Sequence, residues 1–200
     1  MPMQQIIVIH GGTTFKEHDD YLNYLSSKEL HVDRFIYKPK WKELLQENLG
    51  EAYQVLLPSM PNSTNARYAE WKIWFKHVSS IFTDDCILIG HSLGAIFLAK
   101  YLSEESLTVK VKATILIAAP YDNESTEDLT DFKLTSLSPQ LVKSAGRLVF
   151  FNGHNDPVIS QSDLKKYQDQ LPSAEFNILD APDHFVRADF PELVNLIKEL

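Results

Sequence analysis

The 200-residue chain has a single cysteine, Cys86, so no disulfide can close within it. That fits a reducing compartment rather than a cross-linked secreted scaffold. It has no cluster of lysine or arginine, and its 19 basic residues are outnumbered by 27 acidic ones. The resulting net charge of −8 excludes the electrostatic footprint of a nucleic-acid binder or of a protein docked on an anionic membrane. Charge of this size otherwise serves solubility. No apolar run reaches the length of a membrane span. No basic region followed by a signal-length apolar stretch stands at the start either, where Ile6-Ile7-Val8-Ile9 is only a strand's worth. A cytoplasmic location is the expectation. Internal repeats, low-complexity tracts and linkers are all missing, and the length suits one domain, residues 1–200, with a sizeable core.

What is present centres on residues 86–100, CILIGHSLGAIFLAK. They read as a buried strand, a sharp turn and a helix. The turn, Gly90-His91-Ser92-Leu93-Gly94, is G-x-S-x-G, in which the serine stands at the apex of a strained strand-to-helix turn with its hydroxyl over the end of a sheet. Side chains two residues either side of that apex would meet neighbouring backbone, hence the glycines. The helix that follows aims its free N–H groups and dipole at the serine, favouring negative charge there. Ala95, Ile96, Ala99 and Leu102 fall on one helix face, and the small alanines allow close approach to the sheet. Cys86, in the buried strand, reads as a packed, inert thiol.

Five further strands are expected, over residues 6–9, 52–57, 113–119, 147–151 and 175–179. Residues 18–30 suit a helix, residues 35–37 look extended, and residues 41–49 suit a short helix closed by Gly50. A helix capped by Thr64 or Asn65 should run to Phe82, with Trp71, Trp74, Phe75, Val78, Ile81 and Phe82 as a core-facing stripe. Residues 121–144 are polar, with Asp122, Glu124, Glu127, Asp128 and Asp131. They read as a solvated face holding short helical turns, one of them starting at Ser138-Pro139. Helices over 161–170 and 191–200 close the chain, the last with an Asp189-x-x-Glu192 capping box. Strands alternating with helices specify a parallel sheet covered on both faces, with right-handed crossovers.

Functional loops of such a sheet lie at the carboxyl ends of its strands. A serine hydroxyl becomes a nucleophile when a neutral imidazole takes its proton, and a carboxylate holds that imidazole in the right tautomer. The chain order expected here is Ser, Asp or Glu, His. Ser92, Asp156 and His184 supply it: Asp156 follows the strand over 147–151 and His184 the last strand. Asp183 is the runner-up acid, disfavoured because adjacent residues rarely face each other. His10 and His91 pack near the site, and His154 is a loop residue. No ligand spacing supports a metal site from His10, His154 and Asp156, so no metal is expected. Oxyanion donors are expected from the backbone of Leu93 and from Gly12 or Thr13. Thr13, His91, Tyr121 and Phe185 are candidate substrate-lining residues, and Phe15 and Phe132 suit either a pocket wall or the core.

Several segments together resemble the α/β-hydrolase superfamily: His10-Gly11-Gly12, Leu57-Pro58-Ser59-Met60-Pro61-Asn62 with Trp71 downstream, Gly90-His91-Ser92, the Asp156 loop and Asp183-His184-Phe185. More narrowly they are similar to the small serine hydrolases related to retinoblastoma-binding protein nine and their bacterial relatives. The resemblance implies a compact three-layer sandwich of about six parallel strands in the order 2-1-3-4-5-6, helices on both faces and no large cap. It also implies carboxylesterase-like action on a small-molecule acyl substrate without a cofactor. Two departures stand out. Residues 15–50 form a longer excursion than such compact members need. The retinoblastoma-binding Leu-x-Cys-x-Glu motif is lacking, since Ile87 and Leu88 follow Cys86. The same parts would serve an acyltransferase, and the contrasting alternative is a non-catalytic binding protein on a hydrolase fold. Oligomeric state is not encoded in any of these patterns.

Overall fold

The computed structural model describes residues 3–200 apart from residues 123–127 and the side chain of Arg34. The acidic residues Glu124 and Glu127 therefore lie outside the described residues. Six strands, all parallel, form one sheet in the order 2-1-3-4-5-6. They are β1 (Gln4–Ile9), β2 (Tyr53–Leu56), β3 (Cys86–His91), β4 (Val111–Ile117), β5 (Arg147–Gly153) and β6 (Glu175–Leu179). The helices are α1 (His18–Ser27), α2 (Trp41–Leu49), α3 (Tyr68–Val78), α4 (Leu93–Glu104), α5 (Pro139–Ser144), α6 (Gln161–Gln170) and α7 (Pro191–Glu199). Among the described residues no large cap domain is inserted between these elements.

Side chains alternate across a strand, so each central strand feeds two cores. In β1, Ile7 and Ile9 join α3, α4, α5 and α6 on one face; Ile6 and Val8 join α2 and α7 on the other. β3 divides the same way, Leu88 to the first core and Ile87 and Ile89 to the second. Burial on both faces explains why these strands read as unbroken apolar runs rather than alternating ones. The first core is anchored by Trp71, whose ring lies 5.5 Å from Phe97 and 5.2 Å from Phe132. Phe132 is thus a core residue, not a pocket wall. Cys86 lies fully buried, and burial pushes its thiol up to about 11, so it is a packing residue.

Several expected boundaries move, each for a local reason. α1 stops at Ser27 rather than at residue 30. The hydroxyls of Ser26 and Ser27 bond back to Asn23 O, the competition that makes serine a poor helix interior residue. Residues 35–37 do not form a strand. A 3₁₀ turn over Val32–Arg34 precedes them, and Phe35 and Tyr37 are three-quarters exposed with no strand beside them. α3 begins at Tyr68, not at a Thr64 or Asn65 cap. Residues 62–66 instead fold as a turn stitched to the loop after β1, with Thr13 N–H donating to Ser63 O and Ala66 N–H to Thr13 O. Asp131 caps α3 from afar by accepting the Tyr68 N–H. The helix ends at Val78, and a 3₁₀ turn over Ser79–Ile81 follows. Its buried stripe narrows to Trp71 and Phe75, with Phe82 beyond, because Trp74 and Ile81 face solvent. At α7 the residue before the first turn is Phe190, and the Asp189–Glu192 box does not form. The buried Phe190 ring, 5.8 Å from Trp41 and 5.2 Å from Phe151, fixes that entry instead.

Candidate active site

The carboxyl ends of β3, β5 and β6 bring three polar residues together. Ser92 sits between β3 and α4 with φ 55°, ψ −121°, a conformation that L-residues rarely hold. The surroundings leave it no alternative. Its N–H is tied to Ile117 O at 2.9 Å, and its carbonyl accepts from Ala95 N–H at 2.8 Å. A Cβ on Gly90 would lie 2.5 Å from Gly94 O, so the turn closes only without one. Strand-end position and turn geometry together lift the hydroxyl above the sheet.

His184 Nε2 lies 2.9 Å from Ser92 Oγ, and His184 Nδ1 lies 2.9 Å from both carboxylate oxygens of Asp156. Asp156 also accepts the N–H groups of Val158 and Ile159 at 2.8 and 3.0 Å, which fixes the carboxylate in its own turn. Its side chain is 1% exposed, and that of His184 13%. Burial raises the Asp156 pKa, but the bonds from His184, Ile159 and Val158 outweigh it, and the group ends below its ordinary value. An ionised acceptor at Nδ1 puts the histidine proton there and leaves Nε2 free to accept the serine proton.

The other sequence candidates are placed as follows. Asp183 turns away and pairs with Arg187 at 2.5 and 3.0 Å. Gly11 lies against the serine, where a Cβ would be 3.2 Å from Ser92 Cβ. Among the described residues the backbone N–H groups of Leu93 and Gly12 carry no hydrogen bond, whereas that of Thr13 is committed to Ser63 O. Tyr121 and Phe185 are buried. The Tyr121 hydroxyl accepts from Gln170, and Phe185 packs 5.1 Å from Phe190. The Phe15 ring packs at a tilt against Tyr21 and Tyr24, and His154 is exposed.

Sequence reasoning missed the brace behind His184. His184 and Phe185 both hold positive φ, 53° and 54°, a costly pair of backbone conformations. Three bonds secure them. His91 Nε2–H donates to His184 O at 2.9 Å, Trp41 Nε1–H to Phe185 O at 3.0 Å, and Trp41 N–H to Arg187 O at 2.9 Å. The start of α2 is therefore the support of the histidine loop. Only the aromatic at a helix start hinted at it. Trp41→Phe should leave Phe185 O buried without its donor, at a cost of about 1–3 kcal/mol in urea unfolding; an unchanged midpoint would show that the loop holds itself.

His91 is buried, and burial first, then the Lys42 and His184 charges, pushes its pKa down to about 3. It is neutral at physiological pH, with its proton on Nε2 and its Nδ1 accepting from Lys42 Nζ at 3.3 Å. His10 is likewise lowered by burial. Its Nδ1–H donates to Gly11 O at 2.6 Å and its Nε2 accepts from Met60 N–H at 2.8 Å.

A six-stranded parallel sheet of this order, with a serine at the strained turn after its third strand, is an α/β-hydrolase fold. The family described as serine hydrolase matches residues 37–191, and the chain belongs to it. No curated protein matches this chain. The fold is shared with the ydeN gene product of B. subtilis, at 17% identity and TM-score 0.72 over 98% of each chain. It is shared with the methylesterase MES16 of Arabidopsis, at 12% identity and TM-score 0.57 over 98% of each. The Pyrococcus furiosus esterase Pf2001 also shares it, at 14% identity and TM-score 0.58 over 98% of this chain and 81% of that one. Among the described residues no helix is long and apolar enough to cross a membrane.

Proposed function

We propose that the protein is a carboxylesterase-like serine hydrolase that cleaves a small ester, thioester or amide through an acyl-enzyme on Ser92. The observation that carries this reading is the unbroken relay from Ser92 Oγ through His184 to Asp156, every link 2.9 Å. Ser92 Oγ attacks the substrate carbonyl carbon while its proton passes to His184 Nε2. The tetrahedral oxyanion is held by the free N–H groups of Leu93 and Gly12. Collapse expels the leaving group, which takes the proton from His184. Water then attacks the acyl-enzyme, giving its proton to His184, and Ser92 leaves with a proton returned to its oxygen. Asp156 stays ionised throughout and steadies the imidazolium. Membership of the serine hydrolase family supports the assignment, as does the esterase activity named for the fold's neighbours from Arabidopsis and Pyrococcus furiosus. We place the activity in the cytoplasm, in keeping with the one buried, unpaired thiol.

Covalent labelling tests it. A fluorophosphonate probe should label the wild type and leave Ser92→Ala unlabelled, and only the wild type should hydrolyse p-nitrophenyl butyrate. A correctly folded wild type that neither labels nor turns over ester would make the protein a non-catalytic binder on this fold.

A further inference from the structure

Lys42 takes no part in the relay, yet it stands at the site. It is half-buried at the start of α2, with Nζ 3.3 Å from His91 Nδ1, and His91 precedes Ser92 in the elbow. His10 feels its charge as well, and the next residue, Gly11, abuts Ser92. The ammonium therefore borders on His91, at the end of β3, while His10 lies just past the end of β1. Both histidines are neutral, and each spends its own N–H on a backbone carbonyl. Among the described residues no carboxylate pairs with Lys42. Glu43, next in the chain, is exposed and bonds to Lys40 N–H instead. Asp183 is taken by Arg187 and Asp156 by His184. A sheltered cation without a counter-ion is costly, and an anionic ligand relieves that cost. Among the described residues the ammonium hydrogen-bonds to His91 alone and otherwise faces the Trp41 ring, whose centroid lies 5.7 Å away, which leaves donor hydrogens for a ligand.

We propose that Lys42 is an anion subsite beside Ser92 and that the substrate carries a carboxylate within a few atoms of its scissile carbonyl. The inference rests on the hydrolase reading above. Burial, partly opposed by Glu43, holds the amine below its ordinary value, which a bound carboxylate would reverse. The subsite selects among acyl substrates and performs no bond-making, so its signature is selectivity rather than rate alone.

Two substrate pairs test it, differing in charge on the acyl side and on the leaving side. The first is p-nitrophenyl hemisuccinate against p-nitrophenyl butyrate. The second is 4-acetoxybenzoate against its methyl ester. In one pair the wild type should favour the charged member in kcat/KM. That preference should fall about tenfold or more in Lys42→Met and in Lys42→Gln, as expected for a charge pair sheltered from bulk water. Lys42→Arg should recover much of it. A wild type with no preference in either pair overturns the subsite without any variant. So does a Lys42→Met enzyme that loses the same factor on charged and neutral members, since Lys42 would then act only by holding His91. In both of these cases fluorophosphonate labelling of Ser92 persists and the hydrolase reading stands. Absence of labelling and of all turnover removes that reading, and this inference with it.

Discussion

Asp156→Asn is expected to lower kcat/KM for p-nitrophenyl butyrate by roughly 10⁴-fold while the protein remains folded. Asparagine keeps an oxygen where Val158 and Ile159 donate, at 2.8 and 3.0 Å in the wild type, so the turn survives. Its NH₂ then replaces one of the two carboxylate oxygens that lie 2.9 Å from His184 Nδ1. A donor opposite Nδ1 drives the imidazole proton to Nε2. Nε2 then presents a hydrogen to Ser92 Oγ and cannot accept one. The geometry is retained and the base is lost. Fluorophosphonate labelling should slow in proportion, because it needs the same proton transfer. A variant within tenfold of wild type would show that His184 keeps its tautomer without Asp156. The acid limb of stability provides a second readout. The Asp156 carboxyl sits below its ordinary value, so its stabilising contribution is complete above about pH 4. It is lost as the pH falls through the depressed folded value. Asp156→Asn should flatten that part of the curve of stability against pH.

The elbow was legible because two periodicities meet there. Residues 86–89 are apolar without a break, and Ala95, Ile96, Ala99 and Leu102 repeat at helical spacing, with G-x-S-x-G between them. Strand order followed from the family resemblance, not from any local pattern. Local rules failed where a distant partner decides. Asp189-x-x-Glu192 fits a capping box, but the Phe190 ring seats α7 and the box stays open. Ser160-x-x-Asp163 fits the same rule and does form one, its hydroxyl accepting from Asp163 N–H while the Asp163 carboxylate accepts from Ser160 N–H. Phe35-Ile36-Tyr37 has strand-forming residue types and no neighbouring strand to pair with. The brace on His184 joins Trp41 to Phe185, 144 residues apart, a separation at which sequence pattern carries no contact information. Lys42 was hidden for the same reason: a lysine on a short helix reads as solvated until the chain folds His91 against it.

Gly94→Ala sets local propensity against packing, and packing should win. Gly94 is the second residue of α4, where alanine would favour the helix by up to about 1 kcal/mol. A Cβ there, however, would run into Ile9 O and lie 2.6 Å from His10 O, both backbone atoms at the end of β1. That end cannot yield freely. β1 is hydrogen-bonded to β2 on one side and to β3 on the other, with Ile9 opposite Gly90. Relief must come from the loop beyond, which carries Gly11 against Ser92 and the free N–H of Gly12. The variant should therefore lose about 1–3 kcal/mol in urea unfolding, the usual cost of overpacking. In its folded fraction kcat/KM should fall about 100–1000-fold, the typical effect of displacing one oxyanion donor. The two losses separate by dividing rate by folded fraction at each urea concentration below the transition. A more stable Gly94→Ala would mean that helix propensity governs this position and that the β1 loop has room to spare. A destabilised variant of full specific activity would place the second oxyanion donor elsewhere than in that loop.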